Sequence, residues 1–299
     1  MNGVINIYKE KGWTSHDVIA KLRGILGTKK IGHAGTLDPE AEGVLPIGIG
    51  RGTRILEYIG SSHKVYEAEV VFGLRSNTED LHGEVIEEPF DRERLTVVNI
   101  QAALDRLDGQ VIAQVPPMFS SVKVGGKKLY QYARQGLEVP RESRNVELFQ
   151  LQLLSDLYEL GGQPRIRIRA NVSKGTYIRT LCVDLGKILQ VPAVMGELKR
   201  IEVGNFREKD SFRLDAIDRM KKVDDLSFLH SLKAGIDGEM FQVELSPEDH
   251  ARIRLGQKIE NRYPVENGSL FAGLFRGELV CILRNEDGLL RIIKNVGNP

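Results

Sequence analysis

The chain has 299 residues, 41% of them apolar, and 42 basic side chains against 41 acidic ones. This is enough chain for one large core and a smaller second domain, and the near-neutral total excludes a uniformly basic protein while leaving room for a local basic patch. Cys182 and Cys281 lie far apart and outside any CxxC or Cys/His cluster, so neither a disulfide framework nor a structural zinc site is expected.

The opening MNGVINIYKEKGW lacks the basic and then apolar pattern of a secretory signal, and no later stretch approaches the ~20 apolar residues of a membrane span. A cytoplasmic protein is expected. Val4 to Tyr8 reads as a short strand. Thr14-Ser15 are good helix N-caps, and the spacing of Val18, Ile19, Leu22, Ile25 and Leu26 predicts an amphipathic helix that stops at Gly27. Residues 31 to 54 are rich in glycine and proline and show no clean periodicity.

Val65 to Phe72 alternates as a strand, with Tyr66 near its start. A helix is predicted over Val97 to Leu107, ended by Gly109. Residues 119 to 144 carry six Lys or Arg against two Glu, interleaved with Phe119, Tyr130 and Tyr132. Arg165 to Val172 alternates strongly, and a helix opens near Thr176, placing Tyr177 and Arg179 at its N-terminus. The pattern weakens from Phe206 to Gly238. The last ~60 residues pair short apolar runs with turn signals at Asn267-Gly268, Arg276-Gly277 and Asp287-Gly288, which predicts a small β-rich domain.

The chemistry concentrates in Gly32-His33-Ala34-Gly35-Thr36-Leu37-Asp38-Pro39, which sets one carboxylate in a rigid turn whose small residues let a large substrate approach. An isolated Asp-Pro is ordinarily a turn in which the aspartate caps its own backbone. Here the motif runs much further. The stretch GHAGTLDPEAEGVLPIGIG at 32 to 50 resembles the TruB-type bacterial tRNA pseudouridine synthases around their catalytic aspartate. So do Lys64-Val65-Tyr66, PPMFSSVKVGGKKLYQYARQGLEVPR at 116 to 141, SKGTYIRTL at 173 to 181 and GELKR at 196 to 200. The tail, with LSPEDHARIRLGQKI at 245 to 259, is similar to the PUA-type RNA-binding domain of that family.

The resemblance implies an α+β fold: a mixed sheet flanked by helices and loops over residues 1 to 238, then a PUA-type domain over 239 to 299. It also implies isomerisation of the T-loop uridine at position 55 of transfer RNA, with the base flipped out. No metal, organic cofactor or guide RNA is implied, and a monomer is expected. Moving a base from nitrogen to carbon on a sugar requires a carboxylate that attacks, or that stabilises a developing sugar cation, and Asp38 suits either role.

By the same resemblance, Arg179 keeps Asp38 ionised beside a buried base, Tyr66 stacks on the uracil or transfers a proton, and Tyr177 and Leu198 line the pocket. His33 contacts the RNA. Lys64 and the flap residues Lys123, Lys127, Lys128, Arg134, Arg141 and Arg144 meet the RNA. Two departures from the family pattern, Asn77 for Asp and Phe119 for Tyr, affect loop hydrogen bonding and lie outside the proposed catalytic set. Two other readings compete with this one: a guide-RNA-dependent relative, and a tRNA-folding chaperone whose catalysis is dispensable.

Overall fold

A computed structural model of the chain describes residues 1–297. Six α-helices occur among the described residues: α1 Ser15–Leu26, α2 Val97–Leu107, α3 Leu129–Ala133, α4 Ile178–Leu189, α5 Leu214–Lys222 and α6 Pro247–Arg254. No helix among them is long and apolar enough to cross a membrane. Four strands matter most for the site: β1 Gly3–Lys9, β2 Ile31–His33, β3 Glu42–Ile49 and β4 Lys64–Phe72. The fold is mixed α/β with a PUA-type β domain at its end.

The chain divides into two compact units. The first joins Met1–Ser62 to Glu202–Pro299. In it β1 runs antiparallel to β3, from Gly3 opposite Ile49 to Lys9 opposite Gly43, and β2 flanks β3 on its other edge. Helix α1 forms where expected: Thr14 and Asp17 close a capping box, Gly27 ends it in the left-handed region, and Val18, Ile19, Leu22 and Leu26 are buried. They pack with Ile5, Ile7, Leu45, Ile47 and Ile49 and with Ile217 of α5.

β3 is a strand where composition suggested only irregular chain. Seven of its eight residues are buried, so it has no polar face to produce alternation, and its sequence is interrupted by Gly43, Pro46 and Gly48. Helix α5 also departs from expectation. Its sequence LDAIDRMKK buries only Ile217 fully, too little for an apolar stripe to stand out.

The tail forms a five-stranded sheet in the order 241–244, 270–275, 278–286, 289–295, 259–260. Two of its three expected turns are tight hairpins. Arg276-Gly277 joins Phe275 to Glu278 and Asp287-Gly288 joins Glu286 to Leu289, all four turn residues having positive φ. Asn267-Gly268 instead precedes the 270–275 strand. One face of this sheet packs under α6 through Phe271, Cys281 and Leu283, and the other joins the cluster of Val4, Ile55 and Tyr58.

The second unit, His63–Ile201, orders its strands 193–203, β4, 163–172, 144–153, 111–114. β4 pairs antiparallel with 163–172, setting Tyr66 opposite Ala170 and Lys64 opposite Val172. The alternation read from sequence is real: Ile166, Ile168, Ala170 and Val172 are all buried. Off that side, Glu69 accepts from Tyr158 at 2.6 Å and from Arg165 at 2.7 Å.

Candidate active site

Asp38 lies in the loop between β2 and β3, partly buried between the buried Leu37 and the exposed Pro39. The backbone on both sides is pinned by groups far away in sequence. Ser15, the first residue of α1 and itself buried, accepts from Leu37 N–H at 3.0 Å and donates to the Leu37 carbonyl at 3.2 Å. The Pro39 carbonyl accepts from Gly12 N–H at 2.9 Å and from the Lys9 ammonium at 3.1 Å. Ala41 N–H closes onto the Asp38 carbonyl at 3.1 Å. Such a loop holds its carboxylate without reorganisation when a substrate arrives, which is what electrostatic or nucleophilic work requires.

Lys9 is fully buried and also donates to the carbonyls of Glu10 at 3.0 Å and Trp13 at 2.6 Å. Its charge is thus spread over backbone dipoles under the aspartate loop. His33 ends β2 and meets His16 edge to face, with ring centroids 5.7 Å apart.

In the second unit, Tyr66 is 8% exposed on β4, with Lys64 buried at the strand's start. Tyr177 is the N-cap of α4, and its backbone is clamped by the buried Gln114, whose amide accepts from Tyr177 N–H at 3.0 Å and donates to its carbonyl at 3.3 Å. Arg179, 5% exposed, donates at 2.9 Å to the carbonyls of both Thr78 and Phe119, and its Nε stands 3.9 Å from the Asp80 carboxylate. Asp80 is oriented in turn by Thr78 Oγ1 at 2.6 Å and His82 N–H at 2.9 Å. Leu198 is buried on the 193–203 strand. Tyr66, Tyr177, Arg179 and Leu198 therefore belong to one unit, and Asp38 and His33 to the other.

Next to Arg179, Thr180 donates at 2.6 Å to Glu79, a partly buried carboxyl that desolvation holds above the usual carboxylate range despite that bond and the nearby arginine. The sequence assigns Lys9, Gln114 and Asp80 no role and reads Ser15 only as a helix cap. Each has a partner 22 or more positions away, which no local periodicity reveals. Asp80 has the best available signal, since it closes the RSNTED segment that carries the Asn77 departure.

The basic segment takes a defined shape. Lys123-Val124 pairs with Lys127-Lys128 across Gly125-Gly126, both with positive φ, as a two-residue hairpin demands. Helix α3 follows. Lys128 and Arg134 lie over the Tyr130 ring at 5.6 and 5.4 Å, and Lys127 over Tyr132 at 5.9 Å. Arg141 donates to the Pro116 carbonyl and pairs with Glu138. Lys123, Lys127, Arg134 and Arg144 are exposed.

Comparison with known proteins matches residues 23–178 to the TruB family pseudouridylate synthase N-terminal domain and residues 179–233 to the tRNA pseudouridylate synthase B C-terminal domain. The chain belongs to the TruB family of pseudouridylate synthases. It is an isomerase. Among similar TruB family proteins, tRNA pseudouridine synthase B of Listeria welshimeri is 46% identical over 287 residues, covering 95% of this chain and 93% of the relative. The protein of the same name from Streptococcus gordonii is 45% identical over 283 residues, covering 95% of each. Among solved structures, a Cbf5-Nop10-Gar1 complex aligns with a TM-score of 0.75 at 25% identity, over 98% of this chain and 84% of that one. An H/ACA RNP bound to a substrate RNA containing 2'-deoxyuridine aligns at 0.73 and 22% identity, covering 99% and 85%, and shares the fold.

Proposed function

We propose that this TruB family member converts the T-loop uridine of transfer RNA, position 55, into pseudouridine in the cytoplasm, as a monomer and without a guide RNA. The uridine is flipped out of the loop, its C1′–N1 bond breaks, a C1′–C5 bond forms, and the proton lost from C5 is balanced by one gained at N1. The reaction is an isomerisation and needs no net redox change. Asp38 supplies the carboxylate that attacks or stabilises the reacting sugar or base. Arg179 keeps that carboxylate ionised, Tyr66 stacks on the uracil and handles the proton, and Tyr177 and Leu198 wall the pocket.

Extruding a base costs a few kcal/mol, about what one or two stacking contacts of ~1–3 kcal/mol return. His33 and the lysines and arginines at 64, 123, 127, 128, 134, 141 and 144 are assigned to the RNA. The observation that supports this reading best is the pinning of Leu37 and Pro39 on either side of Asp38 by Ser15, Gly12 and Lys9, which presents one carboxylate in a preset position.

The test is to incubate purified protein with an unmodified tRNA transcript and map pseudouridine by chemical labelling and primer extension. Product confined to the T-loop uridine, absent with Asp38→Asn while tRNA affinity stays within a few-fold, supports the assignment. Equal loss of binding and product makes Asp38 structural. The structural likeness to a Cbf5-Nop10-Gar1 complex favours a second reading, in which a guide RNA is required. Turnover by the chain alone excludes it.

A further inference from the structure

Glu79 lies in the loop between the short strands Leu74–Ser76 and Val85–Glu87 with a backbone that L residues seldom adopt, φ +65°. The other non-glycine residues described in this region have an evident reason for it: Gln190 ends α4, Asp224 follows α5, and Arg276 and Asp287 sit in tight hairpins. Glu79 ends no helix and fills no two-residue turn. A glycine would hold its place with less strain, so a glutamate there persists through contacts that fix it.

Two anchors do so, from different elements of the same unit. The Glu79 carbonyl accepts from Met195 N–H at 3.0 Å, and the Met195 carbonyl accepts from Leu81 N–H at 3.1 Å, which laces residues 79 to 81 to the 193–203 strand. The Glu79 carboxyl accepts from Thr180 Oγ1, in the first turn of α4, at 2.6 Å. Glu79 also borders a cavity of about 450 Å³, with Leu74, Val183 and Val194 in its walls. A side chain beside open space is not held by close packing, so the Thr180 bond fixes the carboxyl. Burial raises the pKa of this carboxyl, which has an acceptor oxygen for Thr180 in either protonation state.

The residues on either side of Glu79 both meet one guanidinium. Thr78 offers its carbonyl to Arg179 at 2.9 Å, and Asp80 brings its carboxylate to 3.9 Å from Arg179 Nε. An extended chain would space residues 78 and 80 by ~7 Å, and the left-handed bend at 79 lets both converge. One turn of α4 thus presents the guanidinium through residue 179 and, through residue 180, holds the loop that receives it. We propose that Glu79 and Thr180 are a positioning pair, whose hydrogen bond keeps residue 79 in its bend and so holds the Arg179 guanidinium in one orientation for the reaction. Both act through Arg179, and neither meets the uridine. The pair rests on the reading above that gives Arg179 a part in the reaction.

Single-turnover rate and equilibrium tRNA affinity test this in the whole enzyme with Thr180→Val, Thr180→Ser, Glu79→Ala and Glu79→Gly. Valine keeps the shape of threonine without its hydroxyl, and serine keeps the hydroxyl. Alanine at 79 keeps the backbone strain and loses the carboxyl, whereas glycine loses both. Thr180→Val, Glu79→Ala and Glu79→Gly should each turn over about tenfold more slowly or worse, with tRNA affinity within about twofold, and Thr180→Ser should return to within about threefold of the parent. Glu79→Gly should melt above Glu79→Ala and yet be no faster. Hydrogen exchange at the Arg179 Nε–H, assigned by its loss in Arg179→Lys, should quicken about tenfold in Thr180→Val and recover in Thr180→Ser. Turnover restored by Glu79→Gly would make the bend, and not the carboxyl, responsible; serine as slow as valine would make the effect one of packing; equal losses of rate and affinity would be general damage. Each of these, or unchanged exchange, overturns the proposal. If Arg179→Lys itself turns over at the parental rate, the functional reading of Arg179 fails, while the exchange rates still judge whether the pair holds the guanidinium.

Discussion

Lys9 Nζ donates to the Pro39 carbonyl at 3.1 Å, joining the last residue of β1 to the residue that follows Asp38. The ammonium is fully buried and shared with two further carbonyls, so it works as a fastener for backbone. Lys9→Met keeps much of the stem and removes the charge, leaving buried acceptors without their donor at a cost of about 1–3 kcal/mol each. The expected outcome is a single-turnover rate at least tenfold lower, with tRNA affinity changed far less, because the loop loses its set position. An unchanged rate would mean that the loop holds its shape without Lys9.

Gln114 offers a parallel test at α4. Its amide clamps both backbone groups of Tyr177, and Gln114→Ala removes both contacts from a buried site. Stability should fall by about 1–3 kcal/mol, and the melting temperature by several degrees. A KM effect without a kcat effect would place the damage in the walls of the proposed uracil pocket.

The carboxyl of Glu79 makes stability depend on pH in a definite direction. Burial raises its folded pKa above the ordinary value of 4.5, so its contribution is fully present below that ordinary value and is lost as pH rises through the folded pKa. Glu79→Gln retains an acceptor for Thr180 and cannot ionise. Melting curves across pH 4 to 8 should show the variant gaining on the parent as pH rises. Parallel curves would show that Glu79 bears no such penalty.

Gly196 faces the Glu69 carboxylate so closely that an added methyl would overlap it. Gly196→Ala should displace Glu69 from Arg165 and Tyr158 and destabilise the protein by about 1–3 kcal/mol. Denaturant titration measures this, and an unchanged midpoint would show that Glu69 moves aside at no cost.

What could be read from the sequence follows from what local pattern encodes. Helices α1 and α2 and the 163–172 strand each bury one face, and β4 alternates over its first five residues, so periodicity alone locates them within a residue or two. β3 buries both faces and α5 almost none, and pattern therefore failed at both extremes. Asp38, Tyr66 and Arg179 stood out through resemblance of whole motifs. Lys9, Ser15 and Gln114 did not, because a side chain that binds distant backbone has no local pattern; its role exists only after the chain has folded.

The register of β1 against β3 has a consequence for how this family can vary. Lys9 opposite Gly43 and Gly3 opposite Ile49 make the ladder a ruler with the aspartate loop at one end and Arg51 at the other. Deleting one residue between 43 and 49 would shift the loop by ~3.4 Å against Lys9 and turn every later side chain to the opposite face. Surface loops can gain and lose residues freely, whereas this span fixes the distance from the aspartate loop to Arg51.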